Sequence, residues 1–195
     1  MTSPAQIAMT GTAASADLLG YGQPIGGICQ TAFVVRDINA AIDHFVRDCA
    51  AGPFFLLPSF LVEGQVYRGT PSTADVAIAM GFAGHMQIEL IQPLDDNPSV
   101  YRETIEARGY GFHHFGIALR DVDAALPGYL ARGYNLAFRA PVPTGGAVAY
   151  LEGGHDASPG FVELIPANDG MDHHFTMMWQ ASQGWDGSDP VRPFL

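Results

Sequence analysis

Apolar residues along this chain fall into short alternating runs followed by helical stripes, and the whole pattern occurs twice. Gln30-Thr31-Ala32-Phe33-Val34-Val35 and His114-Phe115-Gly116-Ile117-Ala118-Leu119 each read as a strand opened by a polar residue. An aspartate follows each run, Asp37 and Asp121, placed as the N-cap of a helix. The first helix carries Ile38, Ala41, Ile42, Phe45 and Cys49 at the i, i+3, i+4, i+7, i+11 spacing of a core-facing stripe. The second carries Val122, Ala125, Leu126 and Tyr129, with Pro127 inside it, which predicts a kink or a late start.

The two stretches are copies. Arg36-Asp37-Ile38-Asn39-Ala40-Ala41-Ile42 returns 84 residues later as Arg120-Asp121-Val122-Asp123-Ala124-Ala125-Leu126, matching in identity or type throughout. A second echo, Ile88-Glu89-Leu90-Ile91 against Val162-Glu163-Leu164-Ile165, closes each copy. Between helix and closing strand there is room for two further strands, near 54–60 and 74–80 in the first copy and near 135–139 and 147–151 in the second. Each copy is therefore a βαβββ module, and the fold class is α+β. The expected organisation is an arm (1–26), a first module (27–95), a connecting helix (96–110), a second module (111–167) and a helical C-terminal extension (168–195). The arm is apolar enough to lie on a neighbouring surface.

Composition narrows the chemistry. The formal net charge is −11, all nine basic residues are Arg, and the chain has no Lys. That balance argues against a nucleic-acid binder, which needs clustered positive charge. The missing lysine excludes Schiff-base chemistry and a P-loop. No GxSxG, HExxH or strand-linked GxGxxG occurs. Cys29 and Cys49 are too few for a disulfide framework and read as two buried thiols. No apolar run approaches the ~20 residues of a membrane span, and the expectation is a soluble, cytoplasmic protein with no membrane partner.

Two glutamates at matched places in apolar strands are costly to bury unless paired, protonated or bound to a metal. The opening strands carry Gln30 and His114 at matched positions as well. Gln30, Glu89, His114 and Glu163 thus form a pseudo-symmetric set of one imidazole nitrogen and three oxygens, which suits a catalytic divalent cation with open positions. His114 is preferred over His113 because it aligns with Gln30, and His113 is expected on the opposite face of the strand. His173 and His174 read as surface or oligomer-contact residues. Tyr67, Arg68 and Arg102 are candidate pocket or loop residues.

This arrangement resembles the vicinal oxygen chelate superfamily, which includes glyoxalase I, methylmalonyl-CoA epimerase, extradiol dioxygenases and bleomycin-resistance proteins. Gly111-Phe112-His113-His114 and the Arg-Asp-Val-Asp-Ala-Ala segment are similar to the epimerase second module. The resemblance covers about residues 27–167 and implies two modules forming a cup around one divalent ion (Zn, Ni, Co, Mn or Fe). It implies metal ligands at Gln30, Glu89, His114 and Glu163, and a lyase or isomerase that removes a proton next to a carbonyl. Glu163 is then the first choice of base, with Glu89 as ligand and partner acid, acting on a small-molecule substrate in a homodimer. Gln30 stands where the ring-cleaving dioxygenases have a His, which turns the expectation away from ring cleavage. A non-catalytic binder of the resistance type is the alternative.

Overall fold

A computed structural model describes residues 17–153 and 159–194. In chain order the first half runs β1 (Ile28–Val34), α1 (Ile38–Cys49), β2 (Phe54–Leu57), β3 (Val66–Tyr67), β4 (Thr70–Pro71), β5 (Val76–Ala83) and β6 (Met86–Pro93). The second half runs α2 (Val100–Arg108), β7 (Gly111–Leu119), α3 (Val122–Ala131), β8 (Asn135–Pro141), β9 (Ala147–Glu152), β10 (Phe161–Pro166), α4 (Asp169–Ser182) and β11 (Val191–Pro193). The helices begin where their capping residues put them: the Asp37 carboxylate accepts from the Asn39 and Ala40 amides, and the Asp121 carboxylate from the Ala124 amide. α3 starts on time at Val122 and runs through Pro127 rather than starting late.

One eleven-stranded sheet contains every strand, in the order β11-β2-β5-β6-β1-β7-β10-β9-β8-β3-β4. Its symmetry is internal. β1 pairs in parallel with β6, β7 pairs in parallel with β10, and the two opening strands meet antiparallel at the centre. Successive residues alternate faces. On β5 and β6, Ala77, Ala79, Ile88 and Leu90 turn outward to pack under α1, joining Ile38 and Ile42. On β9 and β10, Ala149, Leu151 and Leu164 do the same under α3. The residues between them, Glu89 and Glu163 among them, face the concave side of the sheet. The two glutamates therefore lie inside a cup rather than on a solvated face.

Three features complete the modules, the first two of them beyond what the pattern predicted. β3 and β4 form a hairpin that leaves the first module and pairs with β8 of the second, Val66 opposite Arg139 and Tyr67 opposite Phe138. At the other sheet edge β11 adds in parallel to β2. Two residues of the described part of the arm are buried: Leu19 and Tyr21 pack in a cluster with Phe82, Phe175 and Met178, which pins the arm against α4. The expectation of two buried thiols fails. Only Cys29 is buried, and Cys49 is exposed. It is the last residue of α1, where Ala50 turns the chain away through a left-handed conformation (φ 51°).

Candidate metal centre and substrate pocket

Pairing in register brings the site together from the middle of the sheet. Gln30 lies opposite Gln87 and Gly116, Ala32 opposite Glu89 and His114, and Gly116 opposite Glu163. All four side chains singled out in the sequence converge. His114 Nε2 lies 3.0 Å from Glu163 Oε2, 3.4 Å from Glu89 Oε2 and 3.2 Å from Gln30 Oε1. Ligand atoms of Glu89, His114 and Glu163 all fall within 4.8 Å of one another. Gly116 makes room for them: a Cβ there would stand 2.7 Å from Gln30 Oε1 and 2.7 Å from Ile165 Cδ1.

His113 is not where the strand pattern puts it. In the β1–β7 ladder Ala32 pairs with His114 but Phe33 pairs with Phe112, so His113 is the extra residue of a bulge. A bulge re-aims the side chain it carries. The His113 ring therefore stands beside that of His114, with Nδ1 2.8 Å from His114 Nδ1, and its Nε2 lies 3.3 Å from the Val100 carbonyl. A carbonyl only accepts, so His113 donates from Nε2 and, as a neutral ring, accepts at Nδ1. His114 is then the donor at Nδ1, and its Nε2 carries a lone pair aimed at the cluster. Burial holds both rings neutral, lowering the His114 pKa to about 3 and that of His113 well below its usual value. Gln30 is fixed in the same way. Its amide nitrogen donates to Gln87 Oε1 at 2.8 Å, leaving its oxygen toward His114.

Once both carboxyls are ionised, four acceptors face one another with no donor within the set, and Tyr150 reaches Glu163 from outside it. Burial, reinforced by the Glu163 charge, pushes the Glu89 carboxyl well above the ordinary carboxylate range. Burial pushes Glu163 up to about 8, against a hydrogen bond from Tyr150 that works the other way. Glu89 Oε2 has no hydrogen-bond partner at all. An orphaned carboxylate oxygen, a lone-pair imidazole nitrogen and a second carboxylate within ligand distance fit a divalent cation, with Gln30 as a fourth oxygen. The His113–His114 contact is the kind of outer-layer hydrogen bond that orients a ligating imidazole.

Above the cluster opens a cavity of about 210 Å³, with Gln30, Glu89 and Glu163 at its base beside Tyr101 and Tyr150. Its walls are apolar: Leu57, Phe60, Ile78 and Met80 from one module, Phe138 and Val148 from the other. Met171, His174 and Phe175 of α4 and Phe194 close it from the C-terminal side. His174 is therefore a pocket residue, contrary to the surface role expected of it, while His173 is exposed. Helix phase separates the two neighbours. Tyr67 and Arg68 do not line this cavity; they tie the hairpin to Glu103 of α2. Arg102 grips the Asp95 carbonyl next to its own helix. Tyr150 could have been found from the sequence, because antiparallel pairing of β9 with β10 sets it opposite Glu163. The His113 bulge and the folding back of α4 leave no such signal.

Known proteins share this architecture. Methylmalonyl-CoA epimerase from Mycobacterium tuberculosis superposes with a TM-score of 0.55 at 20% identity, over 80% of this chain and 95% of that one. A hypothetical protein from Bacillus halodurans gives 0.52 at 22% identity, over 71% and 91%. Streptomyces coelicolor methylmalonyl-CoA epimerase, in complex with 2-nitronate-propionyl-CoA, gives 0.53 at 17%, over 74% and 99%. At such identities the likeness is one of fold. No curated protein sequence matches the chain significantly. The sequence profile of the Glyoxalase/Bleomycin resistance protein/Dioxygenase superfamily matches residues 29–150, from β1 into β9, and it is to this superfamily that the chain belongs.

Proposed function

We propose that this protein is a metal-dependent isomerase or lyase that removes and returns a proton on the carbon next to a carbonyl. The observation that carries the reading is the closed set of four inward acceptors, one of them an orphaned carboxylate oxygen, at the base of an apolar cavity. Gln30, Glu89, His114 and Glu163 would hold the cation. Bound there, a divalent cation supplies Lewis-acid stabilisation of the charge that develops on the substrate carbonyl oxygen.

The proton transfer belongs to the chain itself. Glu163 takes the proton from the α-carbon as the C–H electron pair moves toward the carbonyl oxygen. Glu89 lies across the cluster and is the partner acid, so a proton can be delivered from a second direction, which epimerisation requires. Tyr150 steadies the Glu163 carboxylate, and the apolar walls exclude water that would compete for the proton.

The test is exchange of substrate α-protons with solvent deuterium, followed by NMR over a panel of carbonyl compounds, alongside metal content. Glu163→Gln keeps an oxygen at the site and removes the base, and its expected cost is about 10²–10⁴ in exchange rate with metal retained. Near-wild-type exchange by metal-loaded Glu163→Gln would mean that the base is another group. Carbonyl compounds that bind without exchanging would support a non-catalytic binder, the role of resistance proteins in this superfamily.

A further inference from the structure

The nine arginines of this chain are all among the described residues, and none lines the cavity. Each is engaged elsewhere. Arg47, Arg68, Arg102, Arg120 and Arg139 are held by carboxylates. Arg36 and Arg132 lie over the Tyr110 and Tyr129 rings, and Arg108 and Arg192 donate to backbone carbonyls. With no lysine in the sequence and a net charge of −11, the cavity wall itself offers no basic side chain other than His174 to a phosphate or a free carboxylate. A polyanionic thioester would approach against the field of the whole molecule.

The C-terminal segment sharpens this. Met171 and Phe175 present buried apolar side chains to the cavity from α4. Phe194 adds a ring from the segment anchored by β11, its amide donating to the Leu56 carbonyl at 3.1 Å. His174 is the only titratable side chain that this segment sets on the wall, and its Nδ1 is taken by the Gly170 carbonyl at 2.7 Å. The rest of what this segment contributes to the wall, Met171, Phe175 and Phe194, is apolar. A pocket of about 210 Å³ lies below the ~300 Å³ at which drug-sized ligand sites begin, so it holds a compact molecule.

From these observations we infer that the substrate is a small, uncharged, largely apolar carbonyl compound, such as an aryl or alicyclic α-hydroxyketone, enclosed by the C-terminal lid. The inference rests on the proton-transfer reading of the site and names the class of molecule it serves. One oxygen pair would face the Gln30–Glu89–His114–Glu163 cluster and the ring would fill the space under Phe175 and Phe194. In the reaction of such a ketone the α-proton passes to Glu163, the C–H electron pair moves toward the carbonyl oxygen, and the proton returns to either face of the same carbon. No oxidant or co-substrate is consumed.

The experiment uses the full chain loaded with Zn²⁺ or Co²⁺. The neutral probe is (R)-2-hydroxy-1-phenylpropan-1-one; the anionic probes are methylmalonyl-CoA and the glutathione hemithioacetal of methylglyoxal. Binding is measured by calorimetry and α-proton exchange by NMR in D₂O. The expected result is binding and exchange of the ketone, with at least tenfold weaker binding of both anions. Phe194→Ala, which leaves the metal cluster untouched, should weaken ketone binding about tenfold while metal content stays at wild-type level. Ketone that binds without exchange upholds the substrate class and fails the proton-transfer reading. Preference for either anion, or no ketone binding at millimolar concentration, overturns the inference, and exchange of an anionic probe would do so while leaving the proton-transfer reading intact.

Discussion

At the scale of single residues, the state of the site follows from one carbonyl oxygen. Val100 O can only accept, and that fixes the His113 and His114 protons so that His114 Nε2 carries a lone pair toward the cluster. His113→Phe keeps a ring among Tyr101, Tyr150 and Phe161 but removes the acceptor for His114. The expected result is a 10–100-fold loss of metal affinity, roughly what removal of such a partner costs, with little change in fold. A metal titration beside a far-UV spectrum checks it. The pH dependence follows from the carboxylates. Glu163 is raised from 4.5 to about 8, so the folded, metal-free chain holds a proton that the unfolded chain has released, and stability falls as pH rises through that window. His114, lowered from 6.5 to about 3, acts oppositely, adding stability as pH rises to 6.5. Above 6.5 only the carboxylate effect of these two remains. Melting with a chelator present should therefore show a lower Tm at pH 8 than at pH 6.5, and saturating cation should remove or reverse the difference. Gln30, Glu89, His114 and Glu163 were legible in the sequence because a repeat makes a polar residue in an apolar strand conspicuous twice over. His113 was not, because a bulge is a property of backbone pairing that its own side chain does not announce.

At the scale of elements, β1 and β7 carry the site because they cross at the sheet centre with Gln30 opposite Gly116. A methyl group added at position 116 meets Gln30 and Ile165 at 2.7 Å, on the inner face where neither can retreat into solvent. Gly116→Ala is expected to destabilise by about 1–3 kcal/mol, the usual cost of overfilling a packed core, and to weaken metal binding by displacing the Gln30 oxygen. Urea denaturation and a metal titration on the same variant measure both. The modules, capped helices and closing strands were readable from hydrophobic period and capping residues. The β3–β4 hairpin and β11 were not. Strands of two or three residues are too short to show a period, and each exists only because it finds an exposed sheet edge contributed by residues far away in the chain.

At the scale of the whole molecule, the two modules are held as one sheet by the central β1–β7 ladder and by the hairpin that crosses from the first module to the edge of the second. Arg68, at that hairpin, reaches Glu103 of α2 and Glu152 of β9, so elements of both halves meet at one guanidinium. The C-terminal segment then closes the side of the cup that the modules leave open, and Leu19 and Tyr21 of the arm pack behind α4. Sequence pattern gave the extension its helix, but nothing in it foretold that the helix folds back over the site. Everything proposed for this molecule turns on Gln30, Glu89, His114 and Glu163 being a cation site rather than a buried polar defect. Calorimetric titration of chelator-treated protein with Zn²⁺ or Co²⁺ at pH 7, in buffers of different ionisation enthalpy, tests it most directly. The expected result is one cation per chain with release of at least one proton, because Glu163 is still largely protonated at that pH. The Glu89→Gln/Glu163→Gln double variant should lose both the binding and the proton release. Absence of binding in the wild type, or binding that survives in the double variant, would contradict the account.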